Sequence, residues 1–295
     1  FMFYNAVTFN QNINNWNVGN VTNMGGMFAN ASSFNGNIGN WNVSSVKNMG
    51  NMFNDANAFN QYIFNWNVSN VTNMGSMFYN ATAFNGNIDN WNVSSVTNMG
   101  SMFGNATAFN GNIGNWTVSN VISMSGMFAN ATAFNKDIGN WNVGSVTNMN
   151  YMFAGATSFN QYIGNWNVDN VEFMINMFIN ATAFNQNLSL WNVRKVTDMN
   201  EMFLNATAFN QDIGNWDLEM VTNMSQMFNG TNLSTANYDA ILIGWGTDSS
   251  GTAGDMIDDI PNGITFGAGN NSYCTGQAKR QELIDNFAWT ISDGG

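Results

Sequence analysis

The sequence predicts an α/β solenoid, wound right-handed, with a parallel β-sheet on one face and short helices on the other. Three observations predict it. A Met-Phe pair recurs at Met2, Met27, Met52, Met77, Met102, Met127, Met152, Met177, Met202 and Met227, a period of 25 residues without insertion or deletion. A fixed period of this size marks one supersecondary unit per repeat, stacked on its neighbours. Within each unit the apolar spacing shifts from strand-like to helix-like, and after Leu233 the period stops and charged residues become denser. The chain therefore divides into a nine-unit array, 1–228, and a segment of capping units that continues the same sheet, 229–295.

We number the Met of each pair position 1. Nine positions are apolar in all nine complete units: 1, 2, 5, 8, 12, 15, 17, 20 and 23, which in the third unit are Met52, Phe53, Ala56, Phe59, Ile63, Trp66, Val68, Val71 and Met74. Positions 4 to 11, rich in Asn and Gly, form the return loop. Positions 12, 15 and 17 give Ile-x-x-Trp-x-Val, whose closing alternation suits a short strand with Trp and Val inward. Positions 20 and 23 and the next Met-Phe follow helical spacing, and Ser or Asn at 18 and 19, as in Ser69-Asn70, suits a helix N-cap. Equivalent strands pair in parallel about 4.8 Å apart, whereas helices need about 8–10 Å. The stack should therefore curve, with the sheet concave.

In the tail, Ser234 can cap a helix through about Trp245, Ile264-Thr265-Phe266 reads as a strand, Gln277–Asn286 as a helix and Trp289-Thr290-Ile291 as a last strand. Pro261 stands just before the first tail strand, where it removes no ladder donor. Atypical sequence is expected where a terminal unit covers an open core. The chain opens on Phe1 with no matching cap and no signal peptide, which suggests a truncated or processed N-terminus.

The spacing Ile-x-x-Trp-x-Val resembles the core of leucine-rich repeats. The fuller string Trp66-Asn67-Val68-Ser69-Asn70-Val71-Thr72-Asn73-Met74 with Met77-Phe78, repeated in nearly every unit from Met2 to about Phe228, resembles the 25-residue repeat of BspA-type leucine-rich-repeat surface proteins of bacteria. Leu233 to Gly295 is similar to the segment that closes such arrays. The resemblance implies a secreted or surface-anchored, extracellular protein, often an adhesion module.

Composition narrows the function classes. Charged residues make up 8% of the chain and the net charge is −12. Six Lys and Arg cannot supply the basic surface that nucleic acid requires, nor one that anionic membrane attracts. No apolar run approaches the roughly 20 residues of a membrane helix. There is no histidine, which removes His-based triads and His metal sites, and Cys274 has no histidine to activate it. Isolated carboxylates such as Asp169 with Glu172, or Asp217 with Glu219, recur in no column, so no catalytic residue is assigned and the chain is read as a non-enzyme.

The repeating columns read as scaffold. Position 9 is Asn in all nine units, Asn10 to Asn210, and a buried stack would pair each amide with the next unit. Positions 14 and 16 are Asn in eight and seven units and should point outward, either binding sugar or peptide or keeping the sheet solvated. The Met columns suit thioether coordination of copper(I), but beside Phe and Trp they are better explained as core filling, so no metal or cofactor is expected. Asp248, Asp255, Asp258 and Asp259 match no calcium-loop spacing and read as a solvated acidic loop. The sequons at Asn30, Asn80 and Asn105 lie in the return loop and are candidate glycosylation sites, although the same residue types have turn uses.

Departures from the repeat carry more information. Tyr62, Phe64 and Tyr162 replace small or polar residues, and the seventh and eighth units bring Phe173, Ile175, Ile179, Leu188, Leu190, Arg194 and Lys195. An apolar and basic patch on an Asn-paved surface suits a contact site, with sequence drift as the plain alternative. Tyr62, Phe64, Tyr162, Phe173, Leu190 and Arg194 are the candidate interaction surface. Three functions are carried forward: an adhesion or interaction module for a protein or glycan of a surface or matrix, a self-associating stalk or fibre subunit, and an ice- or crystal-binding face. The last is disfavoured because the recurrent Thr at position 21 falls in the expected helix.

Overall fold

The computed structural model describes residues 2–247 and 260–295. The units stack as a solenoid in which apolar positions form continuous columns. From Met27 to Met227 every one of the nine apolar positions is buried. The rings at positions 2 and 8 lie face to face within a unit, Phe28 on Phe34 at 4.0 Å, and repeat between units, Phe28 on Phe53 at 5.6 Å. The Trp of position 15 forms a third column, Trp66 on Trp91 at 6.3 Å. Each buried indole N–H needs an acceptor. It finds the position-12 carbonyl of the preceding unit, as in Trp66 Nε1 to Ile38 O at 3.2 Å.

The expected helices are absent: no residue of the described repeats is helical. Turns instead cover positions 18 and 19 and then 24 through position 4 of the next unit, on either side of an extended stretch, each closing three residues on, such as Val46 N–H to Val43 O, Met27 N–H to Met24 O and Ala31 N–H to Phe28 O. That step reproduces the apolar spacing of a helix without continuing it. Two residues per unit break the helical path by adopting positive φ, one at position 4 (Asn30, φ 60°; Asn80, φ 55°) and one at position 25 (Asn51, φ 57°; Ser76, φ 55°). Asn tolerates this region better than most residues because its side chain bonds locally.

The pairing between units also differs from expectation. It lies not at Ile-x-x-Trp-x-Val but at position 22, where isolated parallel bridges link Asn23 to Asn48, Asn48 to Asn73 and so on to Asn223. From there the backbone N–H groups of positions 23, 25, 2 and 4 all donate to the next unit, as Met24, Gly26, Phe28 and Asn30 do to Asn48, Gly50, Met52 and Asn54. The difference in width between helices and sheet that was expected to bend the stack is therefore missing.

The ladder passes into the tail. Met224 bridges Phe266, and the Phe228 N–H donates to the Gly267 carbonyl at 2.8 Å. The tail holds α1 (Thr235–Trp245), β1 (Thr265–Gly267), α2 (Gln277–Phe287) and β2 (Thr290–Ser292), with β1 and β2 parallel. Ser234 caps α1 by accepting from the Asn237 N–H. Asp293 fastens the end of the chain, accepting from the Tyr238 hydroxyl at 2.8 Å and from Arg280 at 2.7 and 3.0 Å. No helix among the described residues is long and apolar enough to cross a membrane.

Candidate functional site

Asn is abundant because each unit uses it to close the chain on itself. The Asn of positions 11, 16 and 22 accepts the N–H two residues on, as in Asn37 to Gly39, Asn42 to Ser44 and Asn48 to Gly50. These are Asx turns. The position-9 column pairs between units as expected, the Oδ1 of Asn35 accepting the Asn60 N–H at 3.0 Å, but it lies half-buried or exposed rather than inside the core. Position 16, read as an outward array, is occupied by its own turn. Positions 18 and 19 cap no helix; the position-19 side chain donates to the position-18 carbonyl of the unit before, as Ser95 does to Ser69 and Asn170 to Gly144. The surface of the repeats is thus largely self-satisfied.

The sequon residues sit in the same economy of turns. Asn30, Asn80 and Asn105 occupy the position-4 column at positive φ. Asn30 Nδ2 donates to Asn5 Oδ1 at 2.7 Å, Asn80 Nδ2 donates to Asp55 Oδ1, and Asn105 Oδ1 accepts from Asn130 at 2.9 Å. The amide nitrogen that a glycan would take is already a ladder donor in Asn30 and Asn80.

The repeating pattern changes in units five to nine. At position 22 the amide ladder Asn23–Asn48–Asn73–Asn98 is continuous, and the facing position 24 is Gly, whose added Cβ would press on the next amide (2.8 Å from Asn73 Nδ2 at Gly50). The ladder stops at Ser123, and position 24 then acquires side chains: Ser125, Asn150, Ile175. At Phe173 there is no oxygen to close the turn, and the Ile175 N–H is accepted instead by Asn150 Oδ1 of the preceding unit at 2.8 Å. At position 19, Lys195 turns to Asn170 Oδ1 at 2.7 Å, so it does not make the bond to the Asp169 carbonyl that its equivalents make elsewhere in the column, and Met220 carries no donor.

These departures line one groove of about 510 Å³. Glu172, Phe173 and Thr197 form one side, from positions 21 and 22 of units seven and eight; Arg194, Lys195, Glu219 and Met220 form the other, from positions 18 and 19 of units eight and nine. Phe173 and Met220 are exposed. The Arg194 guanidinium reaches Glu219 at 2.7 Å and Asp217 at 3.7 Å, and among the described residues these are the ion pairs of the repeats. Thr197 Oγ1 donates to the Glu172 carbonyl at 3.2 Å. The Glu172 carboxylate makes no ion pair among the described residues. The Lys195 ammonium, bonded to Asn170 Oδ1, likewise makes no ion pair among the described residues.

The six candidate residues do not form one patch. Phe173 and Arg194 share the groove. Leu190 at position 14, although 70% exposed, lies outside its lining, as do Tyr62, Phe64 and Tyr162 at positions 11 and 13. The Tyr62 and Phe64 rings stack at 5.8 Å four units before Tyr162, whose hydroxyl meets Asn165 Oδ1 at 3.3 Å. Leu188 and Ile175 are not surface contacts either: Leu188 is wholly buried in the position-12 column and Ile175 is half-buried. Sequence reasoning missed Glu172, Glu219 and Met220 as partners of Phe173. The available signal was that Glu172 precedes Phe173 directly and that Glu219 and Met220, two units on, also depart from the repeat. The acidic loop Asp248, Asp255, Asp258 and Asp259 lies outside the described residues. Among the described residues no three His, Cys, Asp or Glu are placed to hold a metal.

The family model described as "Mycoplasma protein of unknown function, DUF285" matches residues 1–89, 58–154 and 135–245. No curated protein and no solved structure matches.

Proposed function

This chain belongs to that family of Mycoplasma proteins of unknown function, and from this premise we propose that it is a non-enzymatic interaction module, displayed outside the cell, whose contact site is the groove at units seven to nine. The observation that carries the reading is the change from a self-satisfied Asn surface to a groove holding Phe173, Met220 and an unpaired Glu172. A groove of about 510 Å³ falls in the range that takes a ligand rather than bulk water alone. The resemblance to BspA-type surface repeats supports an extracellular or cell-surface location and an adhesive role toward a protein or glycan. The right-handed winding belongs to the same reading, since parallel crossovers wind almost always that way.

The test is an array of glycans and extracellular-matrix proteins probed with the full chain and with the Phe173→Asn/Met220→Asn variant. Binding lost in the variant supports the reading. An empty array, or binding the variant retains undiminished, overturns it.

A further inference from the structure

A strip of the repeats outside the groove's lining has a different chemistry. In unit seven one ring crosses from position 11 to position 14: Tyr162 donates its hydroxyl to Asn165 Oδ1 at 3.3 Å. The ring packs over Gly164, where an added Cβ would lie 2.7 Å from Cε2 and 2.8 Å from Cζ, and the residue is 43% exposed. Four units earlier in the same column, Tyr62 leans on Phe64 at 5.8 Å and is 57% exposed.

Between these rings the strip offers polar groups with little charge. Asn90, Asn115 and Asn140 at position 14 are exposed, and their side chains make no hydrogen bond among the described residues. Asn87 and Asn112 at position 11 give their oxygens to Asx turns and keep their Nδ2 donors. From unit three to unit seven, Asp89 and Asp137 are the charged residues at positions 11, 13 and 14.

Neutral donors and acceptors between two aromatic faces suit a sugar chain, whose hydroxyls both donate and accept and whose ring faces are apolar. The spacing favours it over a peptide. Paired units lie about 4.8 Å apart, a step that one hexose of an extended chain spans, whereas an extended peptide advances about 3.4 Å per residue and falls out of register. We propose that this strip binds a neutral, extended, β-linked polysaccharide along the stack, one sugar per unit, with sugar rings stacked on Tyr62 and Tyr162. The site is separate from the groove and does not depend on it.

The experiment runs the full chain on native gels with and without hydroxyethyl cellulose. The polysaccharide retards it. Tyr62→Asn and Tyr162→Asn each weaken binding about threefold and the pair about tenfold, as loss of two distant aromatic contacts does. Asn stands at position 11 in most units, so an unchanged circular-dichroism melt shows that the variants fold. Tyr62→Phe/Tyr162→Phe keeps both rings and stays retarded, and Phe173→Asn/Met220→Asn is retarded like the unaltered chain. No retardation, retardation that the double Asn variant keeps, its loss in the double Phe variant, or equal retardation by α-linked dextran overturns the inference. Retardation lost in the Phe173→Asn/Met220→Asn variant overturns it too and moves the glycan to the groove. A neutral polysaccharide spot on the array that survives the groove variant belongs to this strip, so the groove is judged on the remaining spots.

Discussion

Asn150 Oδ1 accepts the Ile175 N–H at 2.8 Å across two adjacent units, in place of the intra-unit bond that Asn48 gives Gly50. The bond exists because Phe173 stands where Asn closes the turn elsewhere. Asn150→Gly then orphans a half-buried donor and destabilises the array by about 1–2 kcal/mol. In a Phe173→Asn background the same change is nearly silent, since residue 173 again supplies the oxygen. Urea midpoints of the four proteins make a double-mutant cycle that measures this coupling.

The close approach of units at position 13 sets a second test. A Cβ on Gly139 would lie 2.5 Å from the Tyr162 carbonyl oxygen, while one on Gly19 meets nothing nearer than 3.4 Å. Gly139→Ala should lower stability by about 1–3 kcal/mol through backbone displacement. Gly19→Ala should change it by less than about 0.5 kcal/mol. Thermal melts followed by tryptophan fluorescence compare the two.

The Trp column predicts a loss that exceeds its area. Trp116 Nε1 donates to the buried Ile88 carbonyl at 3.2 Å. Trp116→Phe removes that donor while the Ile88 carbonyl keeps its bond from the Trp91 N–H at 3.2 Å, so the lost hydrogen bond should cost about 1 kcal/mol, plus the loss from the volume vacated; urea midpoints measure the sum.

Arg194 should behave differently. Its side chain is 61% exposed, so its pairs with Glu219 and Asp217 are solvated. Arg194→Gln should shift stability by less than about 1 kcal/mol. Its effect belongs to the groove wall and appears in array binding rather than in melting.

Acid should loosen the tail through Asp239. Burial pushes its carboxyl up, but the N–H groups of Cys274, Gly276 and Thr275 and the Thr275 hydroxyl all donate to it and hold it below the usual carboxylate range. A group depressed in the folded state stabilises above its unfolded value and loses that contribution as pH falls through its folded value. The tail should therefore weaken below about pH 4. Asp239→Asn should be less stable near neutrality and show a flatter acid limb, read by amide exchange in α2.

The core was legible in the sequence because burial repeats with the period: Met52, Phe53, Phe59, Ile63 and Trp66 name their columns wherever the chain returns. The tail was legible for a similar reason, since Ser234 and the run of apolar residues to Trp245 fix α1 and its cap. The helices expected in the repeats were misread. A chain of β-turns advances apolar residues by threes as a helix does, so Val71, Met74, Met77 and Phe78 fit both. The discriminating mark was at position 4, where Asn30, Asp55, Asn80 and Gly155 are residues that accept positive φ. Position 25 gave no such mark: Tyr151 and Glu201 adopt positive φ there because the stacked neighbours require it. The groove was half legible. Phe173 and Arg194 stood out as departures, but their meeting depends on which columns of adjacent units face each other, and that follows from the turns.

The ladder donors of positions 23, 25, 2 and 4 all point along the stack axis toward the C-terminus. Tension between the two ends of the chain would load those bonds lengthwise and let the units peel one at a time. Each released unit of 25 residues adds about 80 Å of contour. A stack bonded in this way would lengthen under load in equal steps, one unit at a time.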